Sequence, residues 1–364
     1  LSNSTFCCSN LKLFRCKNII SYFGFNTKPL SVEEKEYPLA YGLLVYKWID
    51  ELYYTMSAIY QPQNVYCIGV DQKSSEEYKN GVGYLQECFP NIHVMITPPI
   101  KYCGFSIISA VHKCLSHLTS LNHNWKYYQY LTGFDLPLRT NREMVRVFKQ
   151  LNESFNGEVS RFQTERLKSK NITEVPNGIT LFKSSLSATF SRKTAEYLAK
   201  AKPALDYLNF LNGTSCPDES FWTSMLGNKG VLDVPGSFNG TEFLRIINKY
   251  KKNERKREDP SALPYYISRY QLWVTSRWKA CKFVSGSCVF GVGDIAMLMQ
   301  RPHLVAHKFY LNFEPAAYFC VYQKVRERSS QNIEEFDAKR YGYLPGPRLS
   351  RGESVERWFI NRKS

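Results

Sequence analysis

Between residues 36 and 151 the hydrophobic pattern switches regularly between two periods. The run 39–46 (LAYGLLVY) is apolar without a break, as a strand covered on both faces requires. Residues 49–60 follow with helical spacing, and 65–70 (VYCIGV) form a second strand ending at Asp71-Gln72-Lys73. Residues 74–88 predict a helix with Ser75 and Glu76 in its first turn, and 92–96 predict a third strand. A long apolar-faced helix over 105–121 and a fourth strand over 126–131 come next, broken at Gly133-Phe134-Asp135-Leu136-Pro137. Thr140-Asn141-Arg142-Glu143 spells a capping box, which opens a helix to Leu151. Strand–helix alternation of this kind predicts an α/β fold, with right-handed crossovers on a mainly parallel sheet. Ligands of such sheets sit beyond the carboxyl ends of the strands, which brings Tyr46, Asp71-Gln72-Lys73 and the loop at Asp135 to one crevice.

After residue 152 the pattern loosens. Residues 181–190 predict a strand, 192–201 a helix, and 215–226 a helix opening at Ser215 or Cys216. The segment 239–260 reads as a polar, charged insert. Tyr265, Tyr266, Tyr270 and Trp273 lie close together, as a core cluster or as a platform for a sugar ring. Cys288-Val289-Phe290-Gly291-Val292-Gly293-Asp294 predicts a strand and tight turn, but it lacks the full dinucleotide-binding glycine pattern. The polar residues 1–35 read as a stem, and the charged tail after 329 as mobile. This leaves 36–328 as one domain with halves at 36–151 and 152–328.

The net charge of +16 raises the question of nucleic acid, but the basic residues are scattered. The densest run, 249–257, carries no zinc-finger spacing or basic zipper, and reads as a solvated loop. A positive surface also suits a nucleotide diphosphate. None of the eleven cysteines forms a CxxC pair, so disulfides in an oxidising compartment fit better than a metal or redox site. Sequons at Asn3, Asn152, Asn171, Asn212 and Asn239 point the same way, to the secretory route. The chain begins at Leu1 and has no apolar run of about 20 residues. A signal or anchor is therefore expected outside it or not at all.

One stretch is chemically distinctive: Ser215-Cys216-Pro217-Asp218-Glu219-Ser220-Phe221-Trp222. Taken alone it reads as a helix start, with Pro217 in the first turn and Glu219 as the capping-box glutamate. Together with PLAYGLLVY (38–46), AIYQPQNVYCIGVDQKS (58–74), NWKYYQYLTGFDLPLRTNREMV (124–145), SCVFGVGD (287–294) and HLVAHKF (303–309), it resembles the core-2/I-branching β-1,6-N-acetylglucosaminyltransferase family. Peptide xylosyltransferases share part of the early pattern.

That resemblance implies a metal-independent, GT-A-like fold in the Golgi lumen, hung from an N-terminal membrane anchor. It implies an inverting transfer of N-acetylglucosamine from UDP-GlcNAc to an O-glycan acceptor, with no metal cofactor and no nucleic-acid partner. The family's base falls on Glu219, while Asp218 would serve the helix N-terminus. Its diphosphate lysine falls on Lys308, otherwise a surface charge. Its diphosphate arginine falls near Ser285, so Lys282 would supply the second charge. Leu44, Val45, Tyr46, Asp71, Gln72, Lys73 and Tyr102 would hold the nucleotide, and Glu158, Arg166, Tyr270 and Trp273 the acceptor. The cysteine framework implies Cys16–Cys88, Cys67–Cys114, Cys281–Cys288, and Cys320 with Cys7 or Cys8. Cys103 and Cys216 are left unassigned, with Cys216 either a reactive thiol or a small buried side chain. Rival expectations are a peptide O-xylosyltransferase and a glycan-binding homologue without turnover.

Overall fold

The structure is a computed structural model that describes residues 2–251, 260–274, 281–331, 336–356 and 358, without the side chains of 2–10, 250 and 251. Helices α1 (Ser2–Phe23) and α2 (Val32–Glu36) precede strand β1 (Leu39–Val45). Helix α3 (Ile49–Ile59), β2 (Val65–Asp71), α4 (Glu76–Cys88), β3 (Ile92–Thr97), α5 (Phe105–Ser120) and β4 (Tyr127–Thr132) then alternate as predicted. Strands β5 (Asp135–Pro137), β6 (Ser160–Arg161), β7 (Phe182–Lys183) and β8 (Thr189–Ser191) follow, with α6 (Asn141–Leu151) between the first two. The main sheet has the order β3-β2-β1-β4-β8; its first four strands are parallel and β8 is antiparallel to β4.

Both faces of that sheet are covered, which is why β1 is apolar at every position. Leu39, Tyr41, Leu43 and Val45 point into a core shared with α3, α4 and α6. Ala40 points into a second core, built from α5, α7 (Arg192–Lys200), α8 (Lys202–Leu211) and α9 (Phe221–Leu226). Gly42 makes room on this second face for the fully buried Tyr128, whose ring stacks on Phe190. A Cβ at Gly42 would lie 2.2 Å from the Tyr128 hydroxyl. Gly42→Ala is therefore expected to destabilise the fold by about 1–3 kcal/mol, measured as a lower thermal midpoint.

Beyond the carboxyl end of β4 the chain turns into a small second sheet. There β12 (Val305–His307) lies between antiparallel β5 and parallel β9 (Tyr270–Gln271). A hairpin of β10 (Lys282–Val284) and β11 (Ser287–Val289) packs beside it, as do α11 (Ile295–Gln300) and α12 (Pro315–Ser330). This arrangement carries His307 and Lys308 to the mouth of the main sheet.

Several elements depart from the sequence expectations. The stem is helical over α1, and Ile19, Phe23 and Phe25 are buried against the domain. The polar insert contains α10 (Gly240–Lys251), which buries Phe243, Ile246 and Ile247 between its charges; 252–257 of the basic run lie outside the described residues. The strand foreseen over 181–190 is two short ones, β7 and β8. The tail is anchored rather than loose. Tyr341, Leu344 and Val355 are buried, and the Tyr341 hydroxyl donates to the Pro302 carbonyl at 2.8 Å before the short helix α13 (Pro345–Ser350).

Candidate active site

The loops at the carboxyl ends of the parallel strands are tied together by Asp71. Its buried carboxylate accepts from the backbone N–H of Lys73 (2.9 Å) and of Ile100 (3.2 Å). The Lys73 amine donates to the Ile100 carbonyl at 2.6 Å and stands 3.7 Å from Asp71. Gln72 N–H bonds the Thr97 carbonyl, and Ser74 Oγ donates to the Tyr46 carbonyl at 2.9 Å. The loops after β1, β2 and β3 thus form one rim, on which Tyr102 is 83% exposed and Tyr46 about half exposed. Val45 is a core residue and Leu44 is half buried, so their side chains belong to the sheet.

Positive charge enters this rim from two directions. Lys308 is buried, and its amine donates to the Val284 carbonyl at 2.8 Å. Burial, and secondarily the charge of Lys47, pushes its pKa down to about 8. The Lys47 amine sits 3.7 Å from the Trp48 ring centre and 5.7 Å from that of Tyr310, while Lys308 is 5.2 Å from the same Tyr310 ring. Lys282 is exposed on β10, with its amine 4.8 Å over Phe313. The second charge bearing on Lys308 is therefore Lys47, which the sequence reading did not single out. Ser285, where the resemblance would put the arginine, lies at the tip of the hairpin. With φ of 50° at Ser285 and 75° at Gly286, the two form the tight turn that a two-residue hairpin demands.

Bonded to the Cys103 end of this rim, where Cys216 N–H donates to the Cys103 carbonyl, is the Ser215–Phe221 stretch, which is not one helix. Pro217–Glu219 form a 3-10 turn, Ser220 breaks it with φ of −133°, and α9 begins at Phe221. Neither turn nor helix has a side-chain cap, so the capping-box reading of Glu219 fails. The Glu219 carboxylate instead accepts from Arg166 Nη2 at 2.7 Å and lies 3.6 Å from the Lys183 amine, with 29% of its side chain exposed. Arg166 is aimed by the Gln163 side chain (2.8 Å) and also reaches the Cys216 carbonyl (3.4 Å). The expected acceptor residue is thus a direct partner of the expected base, 53 residues along the chain.

Asp218 does not cap a helix either. Its Oδ1 is buried with no hydrogen-bond partner among the described residues. Burial, then the charge of Glu219, pushes its pKa up to about 7, against the pull of Arg166 and Arg269. Arg269 is placed by the buried Asn156, whose Oδ1 accepts from the N–H groups of Ile267 (3.0 Å) and Ser268 (3.2 Å), and it donates to Ser185 Oγ at 3.1 Å. Neither Arg269 nor Lys183 has a sequence motif that marks it.

The remaining acceptor expectations divide. Glu158 is half buried, and its carbonyl accepts from Thr223 Oγ1 at 2.8 Å, on the helix that follows Glu219. Tyr270 corrects the platform expectation. Its ring is buried against Phe290, stacked at 5.8 Å, and against His303, with the Arg301 guanidinium 4.5 Å away. Trp273 is 48% exposed beside the Ser285-Gly286 turn. His307 and Asp135 also meet here at 2.7 Å; burial lowers the imidazole pKa and Asp135 opposes it.

The structure closes Cys16–Cys88, Cys67–Cys114 and Cys281–Cys288, and in addition Cys103–Cys216. Cys216 is therefore no free thiol. The pairing of Cys320 with Cys7 or Cys8 lies outside the described residues, as does the Asn3 side chain. Asn152, Asn171, Asn212 and Asn239 are exposed. Among the described residues no group of three or more His, Cys, Asp or Glu side chains is placed to hold a metal, and no helix is long and apolar enough to cross a membrane.

The chain is 29% identical over 341 residues to an N-acetyllactosaminide β-1,6-N-acetylglucosaminyl-transferase of Mus musculus, covering 88% of this chain and 80% of the relative. It is 29% identical over 345 residues to a β-1,3-galactosyl-O-glycosyl-glycoprotein β-1,6-N-acetylglucosaminyltransferase of Homo sapiens, covering 88% and 77%. A crystal structure of S. aureus TarS 1-349 aligns with 62% of this chain and 77% of its own at a TM-score of 0.30 and 10% identity, too distant to carry an argument. The model of the Core-2/I-Branching enzyme family matches residues 39–295, which hold the whole main sheet, the 3-10 turn of Glu219 and both hairpin cysteines. The chain is a member of the Core-2/I-branching enzyme family of glycosyltransferases.

Proposed function

We propose that this chain transfers N-acetylglucosamine from UDP-GlcNAc to the 6-hydroxyl of a galactose-type residue on an O-glycan, in β-1,6 linkage and with inversion. The observation that carries the proposal is the placement of Glu219. Its carboxylate is part exposed and oriented by Arg166 and Lys183, on a turn bonded through Cys216 and Cys103 to the rim that carries Lys47 beside Lys308.

In this mechanism the acceptor 6-hydroxyl hydrogen-bonds to Glu219 and gives up its proton as its oxygen attacks C1 of the sugar. The bond from C1 to the UDP oxygen breaks on the opposite face. Lys308 and Lys47 take up the negative charge that develops on the diphosphate, so the second cation comes from the end of β1 rather than from the hairpin. Tyr46, Asp71, Gln72, Lys73 and Tyr102 frame the nucleoside, while Glu158 and Trp273 meet the acceptor. Two lysines in the place of a metal ion predict turnover that needs no divalent cation. Disulfides and exposed sequons suit a luminal compartment, and we place the enzyme in the Golgi, held by an anchor outside the present sequence.

The test is an assay with UDP-GlcNAc and UDP-xylose side by side, on core 1, core 3 and poly-lactosamine acceptors, with and without excess EDTA. Transfer from UDP-GlcNAc that survives EDTA is the expected result. Transfer from UDP-xylose alone, UDP binding without any product, or a requirement for added metal would each contradict the reading.

A further inference from the structure

The Cys103–Cys216 disulfide joins positions 113 residues apart, and it does so at the site itself. Cys103 ends the loop whose Ile100 N–H is held by Asp71. Cys216 opens the turn that carries Glu219. The two chains also touch through backbone: Cys216 N–H donates to the Cys103 carbonyl at 2.9 Å. The Cys216 carbonyl in turn accepts from Glu219 N–H (3.0 Å) and from Arg166 (3.4 Å). Both the base and its guanidinium partner are therefore hung on one residue, and the disulfide fastens that residue to the nucleotide-side rim. Both cysteines hold left-handed backbone, with φ of 54° and 46°. Residues other than glycine keep that conformation where their surroundings impose it, often at functional sites.

The other disulfides do different work. Cys16–Cys88 fastens α1 to α4, Cys67–Cys114 fastens β2 to α5, and Cys281–Cys288 closes the hairpin. The turn of Glu219 keeps a second tether without Cys216, because Ser184 N–H donates to the Glu219 carbonyl at 2.6 Å.

We propose that the Cys103–Cys216 disulfide positions the Glu219 carboxylate against the nucleotide rim, so that opening it lowers turnover while fold and nucleotide binding persist. The cysteines are positioning residues, acting through Glu219. The inference rests on the transferase reading above. Displacing a reacting group by about 1 Å costs up to about 10²-fold in rate, whereas Tyr46, Asp71 and Lys308, the expected nucleotide contacts, are held by bonds of their own.

The experiment compares the wild-type chain with the Cys103→Ala/Cys216→Ala double variant for kcat, donor KM and UDP binding by calorimetry. The expected result is a kcat lower by about 10–10²-fold with donor KM and UDP affinity nearly unchanged. An unchanged kcat would overturn the proposal, as would a fall in kcat matched by an equal loss of UDP binding. A second measurement covers a variant that fails to fold. The wild-type protein is reduced stepwise with a water-soluble phosphine, each disulfide is scored by mass spectrometry of alkylated peptides, and activity is followed alongside. Cys103 and Cys216 are partly exposed while Cys67 and Cys114 are buried, so the first pair should open earlier. Activity must fall with that bond and return on reoxidation; full activity with it open, or a loss tracking another bond, overturns the proposal. A wild-type chain with no transfer activity at all would refute the transferase reading instead, and UDP binding reports on the site in either case.

Discussion

Glu219→Gln is expected to lower kcat by about 10²–10⁴-fold while UDP binds nearly as before. Glutamine keeps the shape of the side chain and can still meet Arg166, but it cannot accept the proton of the acceptor hydroxyl. The substitution therefore separates chemistry from architecture. The turn of Glu219 is held by backbone contacts, to Cys216 and Ser184, that the change of side chain leaves alone. Steady-state kinetics with calorimetric UDP titration checks the outcome. Loss of activity and UDP binding together would mark Glu219 as a structural residue of the Arg166–Lys183 cluster.

Lys308→Met is expected to lower kcat by about 10²–10³-fold, the range seen when one preorganised donor to a developing anion is removed. Methionine keeps most of the apolar stem, so the cost falls on charge and not on packing. The same lysine sets a pH dependence. Its pKa is pushed down to about 8, so the amine is charged below that value and neutral above it. Donor affinity in the wild type should then weaken as pH rises through about 8, and Lys308→Met should lack that limb. A rise in affinity over the same interval, or an identical profile in the variant, would remove Lys308 from the diphosphate. Coulombic coupling to Lys47 makes Lys47→Met the natural partner for a double-mutant cycle.

How much of this was legible along the chain depends on the range of the interaction. The β1 run and the Thr140 capping box are local, and both stand in the structure as written in the sequence. The apolar face of α10 was hidden because Phe243, Ile246 and Ile247 alternate with basic residues that dominate the composition there. The tail looked loose for a similar reason: its few apolar residues, Tyr341, Leu344 and Val355, are spread among Arg, Gly and Pro. The Ser215–Leu226 stretch has the lettering of a capped helix, and only tertiary contacts reveal that its carboxylates bond elsewhere. Arg166 was singled out, but not as the partner of Glu219, since a contact across 53 positions leaves no periodic trace. Lys47 went unnoticed because a lysine after a strand reads as solvated until Tyr310 and Lys308 are seen beside it. The Cys103–Cys216 bond, spanning 113 residues, is of the same kind.

With Glu219 as the proposed base and Lys308 and Lys47 as the proposed cations for the diphosphate, the proposed reaction is a direct displacement at the sugar carbon. The most direct measurement is the anomeric configuration of the product formed from UDP-GlcNAc, followed by proton NMR from the first turnovers. The account predicts a β-linked N-acetylglucosamine on the acceptor 6-hydroxyl, inverted from the α-linked donor. An α-linked product, formed with retention, would contradict it.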